Sequence, residues 1–386
     1  MTSLAVTNVR LAIESELRPG TLLVDGGCIA HVAPADEALP DGAEVVEGRG
    51  CTLAPGLIDI HVHGGGGHSL MTGDPEEVRA YARWVVRHGV TSFLVSTSGR
   101  DHAQILRRLE ALAPVVGPVE GGARVLGFHL EGPYINPARK GAFDSRWLRP
   151  PDAGEYRELF DASGGAIRQV TLAPELPGAG ALIEAVVASG AVASIGHSDA
   201  TYDEALRAFE RGVTHATHCF NAMRPFSHRD PGLLGAIMTS DGVTAELIGD
   251  GAHVDHAAGR VLLRAKGAQN VVLVTDGMPL AGTPDGEASW EGVTVRVEGG
   301  KAVRASDGTI VGGVMTLDAM VRSAADHLAV SMPEALAMAS VNPARALRLD
   351  GVGSLAPGAC ADFVLLDGDL RVVETWVAGK PAWVAT

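Results

Sequence analysis

This 386-residue chain has no apolar run long enough to cross a bilayer; stretches such as Val271–Val274 meet charge or glycine well before the ~18 residues a span needs. Its first residues soon reach Arg10 and Glu16, so no secretory leader can be read there. Cysteine is scarce: Cys28, Cys51, Cys219 and Cys360 lie far apart with no C-x-x-C pair. That excludes a disulfide framework and suits reduced thiols in a cytoplasm. Basic residues are outnumbered, 31 Lys+Arg against 46 Asp+Glu, for a net charge of −15. The deficit argues against a nucleic-acid backbone as the main partner. No repeat occurs at a solenoid period. No G-x-G-x-x-G turn follows the first strand-like run, because Gly64-Gly65-Gly66-Gly67 leads into no helical pattern. Disorder is excluded as well, since 46% of the residues are hydrophobic and can bury a core that offsets the ordering entropy.

The chain does have 49 glycines, 14 histidines and a regular alternation. Short apolar runs at Leu57–His63, Thr91–Thr97, Arg124–Glu131, Arg168–Ala173, Val192–Ser198, Val213–His218, Val243–Asp250 and Val271–Asp276 read as strands. Between them, Pro75–His88, His102–Leu112, Asp203–Arg211 and His256–Lys266 carry apolar residues at helical spacing. Strand-then-helix units of this number predict an α/β fold, a (β/α)8 TIM-like barrel over residues 54–350. The ends differ. Leu4–Val9, Thr21–Val24 and Cys28–Val32 at one end, and Ala361–Leu366 and Val372–Val377 at the other, are short β-like runs separated by turns such as Gly379-Lys380-Pro381. Neither end can close a core alone, so residues 1–53 and 351–386 are expected to combine into one small β-sandwich domain. A further β-like insertion, Val293–Val303 with Ile310-Val311, follows the last barrel strand.

A barrel places its chemistry at the C-terminal ends of its strands. There this sequence reads Asp59-Ile60-His61-Val62-His63, His129-Leu130-Glu131, Gly196-His197-Ser198-Asp199, His215-Ala216-Thr217-His218, Asp250-Gly251-Ala252-His253 and Val274-Thr275-Asp276-Gly277. Each piece alone is weak: His197 or His218 could be a hydrogen-bonded barrel histidine, Glu131 a partner of Arg139 or Lys140, Asp276 a helix N-cap. Together they bring imidazoles and carboxylates to one mouth, a costly arrangement unless a cation sits among them. On a strand, residues i and i+2 point the same way, so His61 and His63 can serve one ion. A divalent ion with an open position activates water and polarises a carbonyl. Asp276, at the end of the last strand beside the first, is the candidate proton acceptor and donor. The reaction class is metal-assisted hydrolysis.

These residues also carry a resemblance. Pro55-Gly56-Leu57-Ile58-Asp59-Ile60-His61-Val62-His63-Gly64-Gly65 resembles the opening signature of the amidohydrolase superfamily. Gly127–Pro133, Gly196-His197-Ser198, Thr217–Met223, Asp250–Asp255 and Val274–Gly277 resemble, in order, the motifs of the N-acetylglucosamine-6-phosphate deacetylase family. The resemblance implies hydrolysis of the acetamide of N-acetyl-D-glucosamine 6-phosphate to D-glucosamine 6-phosphate and acetate, in amino-sugar catabolism. It implies Glu131, His197 and His218 as ligands of a main metal and Asp276 as general base, then acid. Ala142, Asn221, Ala222, Arg229, His253 and Met315 would hold the sugar phosphate. The implied cofactor is divalent, one or two ions per subunit, Zn²⁺ first and Fe²⁺, Mn²⁺ or Co²⁺ otherwise. The implied partners are a small amino-sugar phosphate and a second copy, with Arg229 reaching across a homodimer, and neither nucleic acid nor membrane.

Two departures stand out. Some members of the family replace the residues at His61 and His63 and bind one metal; this chain keeps both, so His61, His63 and Glu131 could build a second site with Asp276 as a further ligand. The family usually has a histidine at the Phe143 position, where it helps polarise the substrate carbonyl. Phe143 cannot donate a hydrogen bond, and losing one such donor costs about 2.7–4 kcal/mol in a transition state unless it is replaced. His129 and His215 read as supporting rather than ligating, Cys219 as a packed thiol, and Lys140 as an unneeded carboxylated ligand. The remaining alternatives are deacetylation of the galactosamine epimer or another N-acyl compound, and a non-catalytic sugar-phosphate-binding protein. A nucleobase deaminase is disfavoured, because its H-x-E and P-C-x-x-C motifs are absent.

Overall fold

Eight parallel strands lie side by side in one sheet of the computed structural model, which describes every residue except 1–2, 14–15, 99 and 291. They are β1 (Leu57–Asp59), β2 (Val90–Ser98), β3 (Arg124–Glu131), β4 (Ile167–Leu172), β5 (Val192–Ile195), β6 (His215–Ala216), β7 (Thr244–Leu247) and β8 (Val271–Leu273). Each pairs with the next in parallel register. Just beyond β1 and β8 the ring closes through a Val62–Gly277 bridge, with Asp276 N donating to His61 O at 2.9 Å and His63 N to Gly277 O at 2.8 Å. The α/β barrel expected from the alternation is present.

The helices between the strands have local causes. Pro75–Val85 starts at an Asp74 N-cap with proline in the first turn and Glu76 and Glu77 behind it, and buries Val78, Tyr81, Ala82 and Val85. Tyr202–Glu210 begins with a Thr201/Glu204 capping box. His102–Leu112 and His256–Lys266 form with the bounds their periodicity predicts. Their apolar faces join the strands in one continuous core that includes Phe93, Phe128, Tyr81 and Tyr156. Burying each such ring contributes about 1.5–3 kcal/mol.

The chain ends meet in a separate eight-stranded sheet. Leu4–Ile13 pairs with Glu16–Asp25 and with Thr52–Pro55, and Thr52–Pro55 pairs antiparallel with Phe363–Leu366 from the far end of the chain. Alternation divides the strand 363–366 between two cores. Phe363 and Leu365 pack with Leu11, Leu22, Leu53 and Trp376 in a cluster of the terminal sheet, whereas Val364 and Leu366 belong to the barrel core. Gly89 marks the contact: it is left-handed (φ +75°), and a side chain there would press on Val364, Val372 and Leu57. The expected turn at Gly379-Lys380-Pro381 is displaced by one residue. Ala378-Gly379 turns, both with positive φ, and Lys380–Val384 forms a last strand on Val372–Val377. Proline is tolerated there because the strand is at the sheet edge. The insertion after β8 forms a three-stranded antiparallel sheet, Gly286–Trp290, Val293–Glu298 and Lys301–Arg304.

Candidate metal centre

The strand ends deliver two groups of ligand-type side chains to the same mouth: His61, His63 and Asp276, and Glu131, His197 and His218, the ligand atoms of each group lying within 4.8 Å of one another. Glu131, at the end of β3, joins them. Its Oε1 lies 3.1 Å from both His197 Nε2 and His218 Nε2 and 3.5 Å from His61 Nε2, while Oε2 lies 3.2 Å from His63 Nε2. Asp276 Oδ1 is 3.5 Å from His61 Nε2 and 3.4 Å from His63 Nε2. The backbone is bent to make this possible: His197, His218 and Asp276 all have left-handed φ angles (48°, 25° and 45°), as do Phe220 and Ala222. Strain of this kind gathers at functional sites.

Proton positions test whether a cation fits. His197 Nδ1 faces the Arg139 carbonyl at 2.9 Å, and a carbonyl only accepts, so the proton is on Nδ1 and Nε2 is a lone pair. His61 Nδ1 likewise donates to the Glu246 carboxylate at 2.9 Å, and His61 Nε2 has no hydrogen-bond partner. Lone pairs of two imidazoles and a carboxylate therefore face one another in a nearly dry pocket. Without a cation between them this arrangement is repulsive, so the residues fit a metal.

The side chains also shift one another's proton affinity. Burial would lower His61, but Glu246, Glu131 and Asp276 outweigh it and hold the imidazole well above its usual range; His63 rises in the same way, against burial, to about 9. Burial would raise Glu131 and Asp276, yet the surrounding histidines hold both below the ordinary carboxylate range. Asp276 is thus a carboxylate at neutral pH. Its side chain is 17% exposed, against 6% for Glu131 and 0% for His61, which makes it the most open carboxylate of the cluster.

Other expected residues take varied places. His253 is held by Asp250, whose Oδ2 accepts from its Nδ1 at 2.7 Å and whose Oδ1 accepts from the Ala252 and His253 backbone N–H groups. Asn221 turns its Nδ2 back to the His218 and Cys219 carbonyls, and the Ala222 carbonyl accepts from Ser198 N. Ala142 packs against the insertion, its carbonyl accepting from Arg304 Nη2. Met315 lines a small cavity with Tyr81 and Trp84. Arg229 lies exposed in the segment after Arg224 and makes no contact with the cluster among the described residues. Arg224 pins that segment through Asp199 and Asp230.

The plain structural alternatives fare differently. Glu131 pairs with neither Arg139, which is bound to Asp199, nor Lys140, whose Nζ donates to Phe143 O. No helix follows Asp276 for it to cap. His129 spends both nitrogens on Ser96 and Thr171, and His215 on Thr244 and Glu246, so neither faces the cluster with a lone pair. Cys219 is buried, which pushes its thiol up. Phe143 sets its ring edge-on to His197, centroids 5.0 Å apart. Glu246, on β7, was not among the expected residues; the only hint was its pairing at i, i+2 with the polar Thr244.

A closed (β/α)8 barrel with two adjoining histidine–carboxylate groups at its C-terminal mouth defines a metal-dependent barrel hydrolase. A family model described as the amidohydrolase family matches residues 52–385, and the chain belongs to that family. It is 35% identical over 354 residues to the N-acetylglucosamine-6-phosphate deacetylase of Lysinibacillus sphaericus, covering 92% of this chain and 91% of that protein. It is 37% identical over 373 residues to the N-acetylgalactosamine-6-phosphate deacetylase of Escherichia coli O157:H7, covering 96% and 97% respectively. Among solved structures, it is similar to a single-residue variant of the Mycobacterium smegmatis N-acetyl-D-glucosamine-6-phosphate deacetylase in complex with N-acetyl-D-glucosamine-6-phosphate: TM-score 0.92, 34% identity, 99% of this chain and 100% of that one. Among the described residues, no helix is long and apolar enough to cross a membrane.

Proposed function

We propose that this chain hydrolyses the acetamide of N-acetyl-D-glucosamine 6-phosphate to D-glucosamine 6-phosphate and acetate. The observation that carries the reading is the meeting of His197 Nε2, His218 Nε2 and His61 Nε2 around one oxygen of Glu131. Glu131, His197 and His218 would hold one divalent ion, and His61, His63 and Asp276, with Glu131 between, a second. A bound ion supplies Lewis-acid chemistry, bringing the pKa of a water toward about 7 and polarising the amide carbonyl. Asp276 takes the proton from the attacking water and returns it to the departing nitrogen, so the C–N bond breaks to a neutral amine. Because Phe143 has no donor, polarisation of the carbonyl falls to the metal centre. His253, oriented by Asp250, and the backbone at Asn221 and Ala222 hold the sugar, with Ala142 and Met315 beside it.

The same proposal includes a zinc-loaded homodimer in the cytoplasm, in which Arg229 reaches the phosphate of the neighbouring subunit's substrate. The support is its exposure on a pinned segment and the match of guanidinium to phosphate. It also divides the chain into a discontinuous β domain, 1–53 with 351–386, and a barrel over 54–350, supported by the pairing of Thr52–Pro55 with Phe363–Leu366.

Acetate release tests the reading on N-acetylglucosamine 6-phosphate, the unphosphorylated sugar and the galactosamine epimer, each with chelated protein and after restoring Zn²⁺, Fe²⁺, Mn²⁺ or Co²⁺. Metal-dependent release from the first substrate is expected. Release that ignores chelation, or none from any substrate, refutes it. The relative from Escherichia coli named for the galactosamine epimer supports the second reading, in which that epimer is the better substrate.

A further inference from the structure

We infer that Glu246 is the positioning residue of the metal centre: one buried carboxylate that fixes the tautomer of His61 and the backbone of His218 together. The inference rests on the two-ion reading above. Glu246 stands on β7 beneath the cluster and is fully buried. Its Oε2 accepts from His61 Nδ1 at 2.9 Å and from the His218 backbone N–H at 3.0 Å. Its Oε1 accepts from Gln169 Nε2 at 2.7 Å and lies 3.1 Å from His215 Nε2, whose Nδ1 is 2.5 Å from Thr244 Oγ1.

Four such partners occupy the roughly four lone-pair sites of a carboxylate, leaving none to ligate an ion. Glu246 therefore acts through the ligands. As an acceptor it keeps the His61 proton on Nδ1 and turns the Nε2 lone pair toward Glu131 and Asp276, where an ion of the first group must bind. Through the His218 N–H it also holds the left-handed turn (φ 25°) that aims His218 Nε2 at Glu131. One side chain thus reaches a residue of each group, a second link between them beside Glu131.

An amide of the same shape cannot do this without rearranging its partners. Its NH₂ must face either His61 Nδ1–H and His218 N–H, or the Gln169 and His215 donors. The first choice drives His61 to the Nε2–H tautomer and removes a ligand lone pair. The second sets an NH₂ against Gln169 and His215, which accept it only after the Gln169 amide flips and His215 changes tautomer.

The test is Co²⁺ titration of metal-free wild type and Glu246→Gln, followed by d–d absorption and by metal content after dialysis, with circular dichroism to verify folding. Wild type is expected to bind two ions per chain. In Glu246→Gln the ion at His61, His63 and Asp276 should bind about 10–100-fold more weakly, with its absorption bands altered, while the ion at Glu131, His197 and His218 is affected less. Two ions in both proteins, each within threefold of the wild-type affinity, would overturn the positioning role and leave the two-ion reading standing. A single ion in wild type would overturn that reading and this inference with it. If Glu246→Gln does not fold, ¹⁵N-histidine NMR of zinc-loaded wild type decides, the His61 signal being assigned by its loss in His61→Gln. A proton on Nδ1 supports the inference, and a proton on Nε2 refutes it.

Discussion

Asp276→Asn separates the chemical role of this carboxylate from its structural one. Asp276 is pinned by its backbone: its N–H donates to His61 O at 2.9 Å, and its carbonyl accepts from Gly313 N at 2.7 Å. Its φ of +45° suits asparagine, which tolerates the left-handed region, whereas alanine would add roughly 1–2 kcal/mol of strain. Asparagine therefore keeps the shape and removes only the charge and the basicity. A positioned general base contributes about 10²–10⁴ in rate, which is about 2.7–5.4 kcal/mol at ~1.36 kcal/mol per tenfold. The expected result is a fall in kcat of that size, with KM within about threefold. Metal content must be measured on the same samples, because Asp276 Oδ1 also lies 3.4 Å from His63 Nε2 and belongs to the group of His61, His63 and Asp276. A loss of less than tenfold with both ions present would refute the role of general base. A loss reversed by excess metal would assign Asp276 to ligation alone.

Chelation of the purified protein should abolish acetate release and lower Tm, because a bound ion stabilises the native state by mass action; an unchanged Tm with activity gone would refute preferential binding of the ion to the folded state. Phe143→His, beside His197, should change turnover by less than about tenfold under the proposed mechanism, in which carbonyl polarisation is assigned to the metal centre, and a gain near the 2.7–4 kcal/mol of a full donor would show that nothing compensates. Asp318 bonds His88, Thr316 and Arg322; burial would raise its pKa, but His88 first and then the others bring it down to about 2. A depressed carboxylate stabilises the fold above its unfolded pKa of about 3.9, and the benefit is lost as pH falls toward 2, a swing of about 2–3 kcal/mol. Asp318→Asn should therefore lower the stability of the metal-free protein at pH 7 and flatten its denaturation profile between pH 4 and 2, whereas an unchanged acid limb by circular dichroism would refute the assignment.

Strand runs and helix faces were legible because barrel strands and amphipathic helices carry their period in the residues themselves. His102–Leu112 and His256–Lys266 form with the predicted bounds. The union of the two termini was legible as well, since neither end has enough apolar surface to close a core. The position of the last turn was not. Lys380 and Pro381 look like turn residues, yet they start an edge strand, where proline's missing donor costs no ladder bond.

The candidate site was legible where it lies at strand ends and hidden where it lies inside the barrel. His61, His63, Glu131, His197, His218 and Asp276 stand at the rim, where polar residues break an apolar run and so announce themselves. Glu246 stands lower, within the buried strand Thr244-Ala245-Glu246-Leu247, and a single acid in such a run reads as a residue turned outward. The signal lies across strands. Ser96, His129, Thr171, Thr217 and Ser194 are joined by hydrogen bonds of 3.0, 2.8, 2.7 and 2.7 Å, and Gln169, His215 and Glu246 form a second polar group among the same strands. Barrel interiors are usually filled by Val, Ile and Leu. Here hydrogen-bonded polar side chains stand beneath the cluster, and burying them costs little only because nearly every donor finds an acceptor. Orientation of the rim side chains is thus set from below, by residues whose shared face no one-dimensional pattern displays.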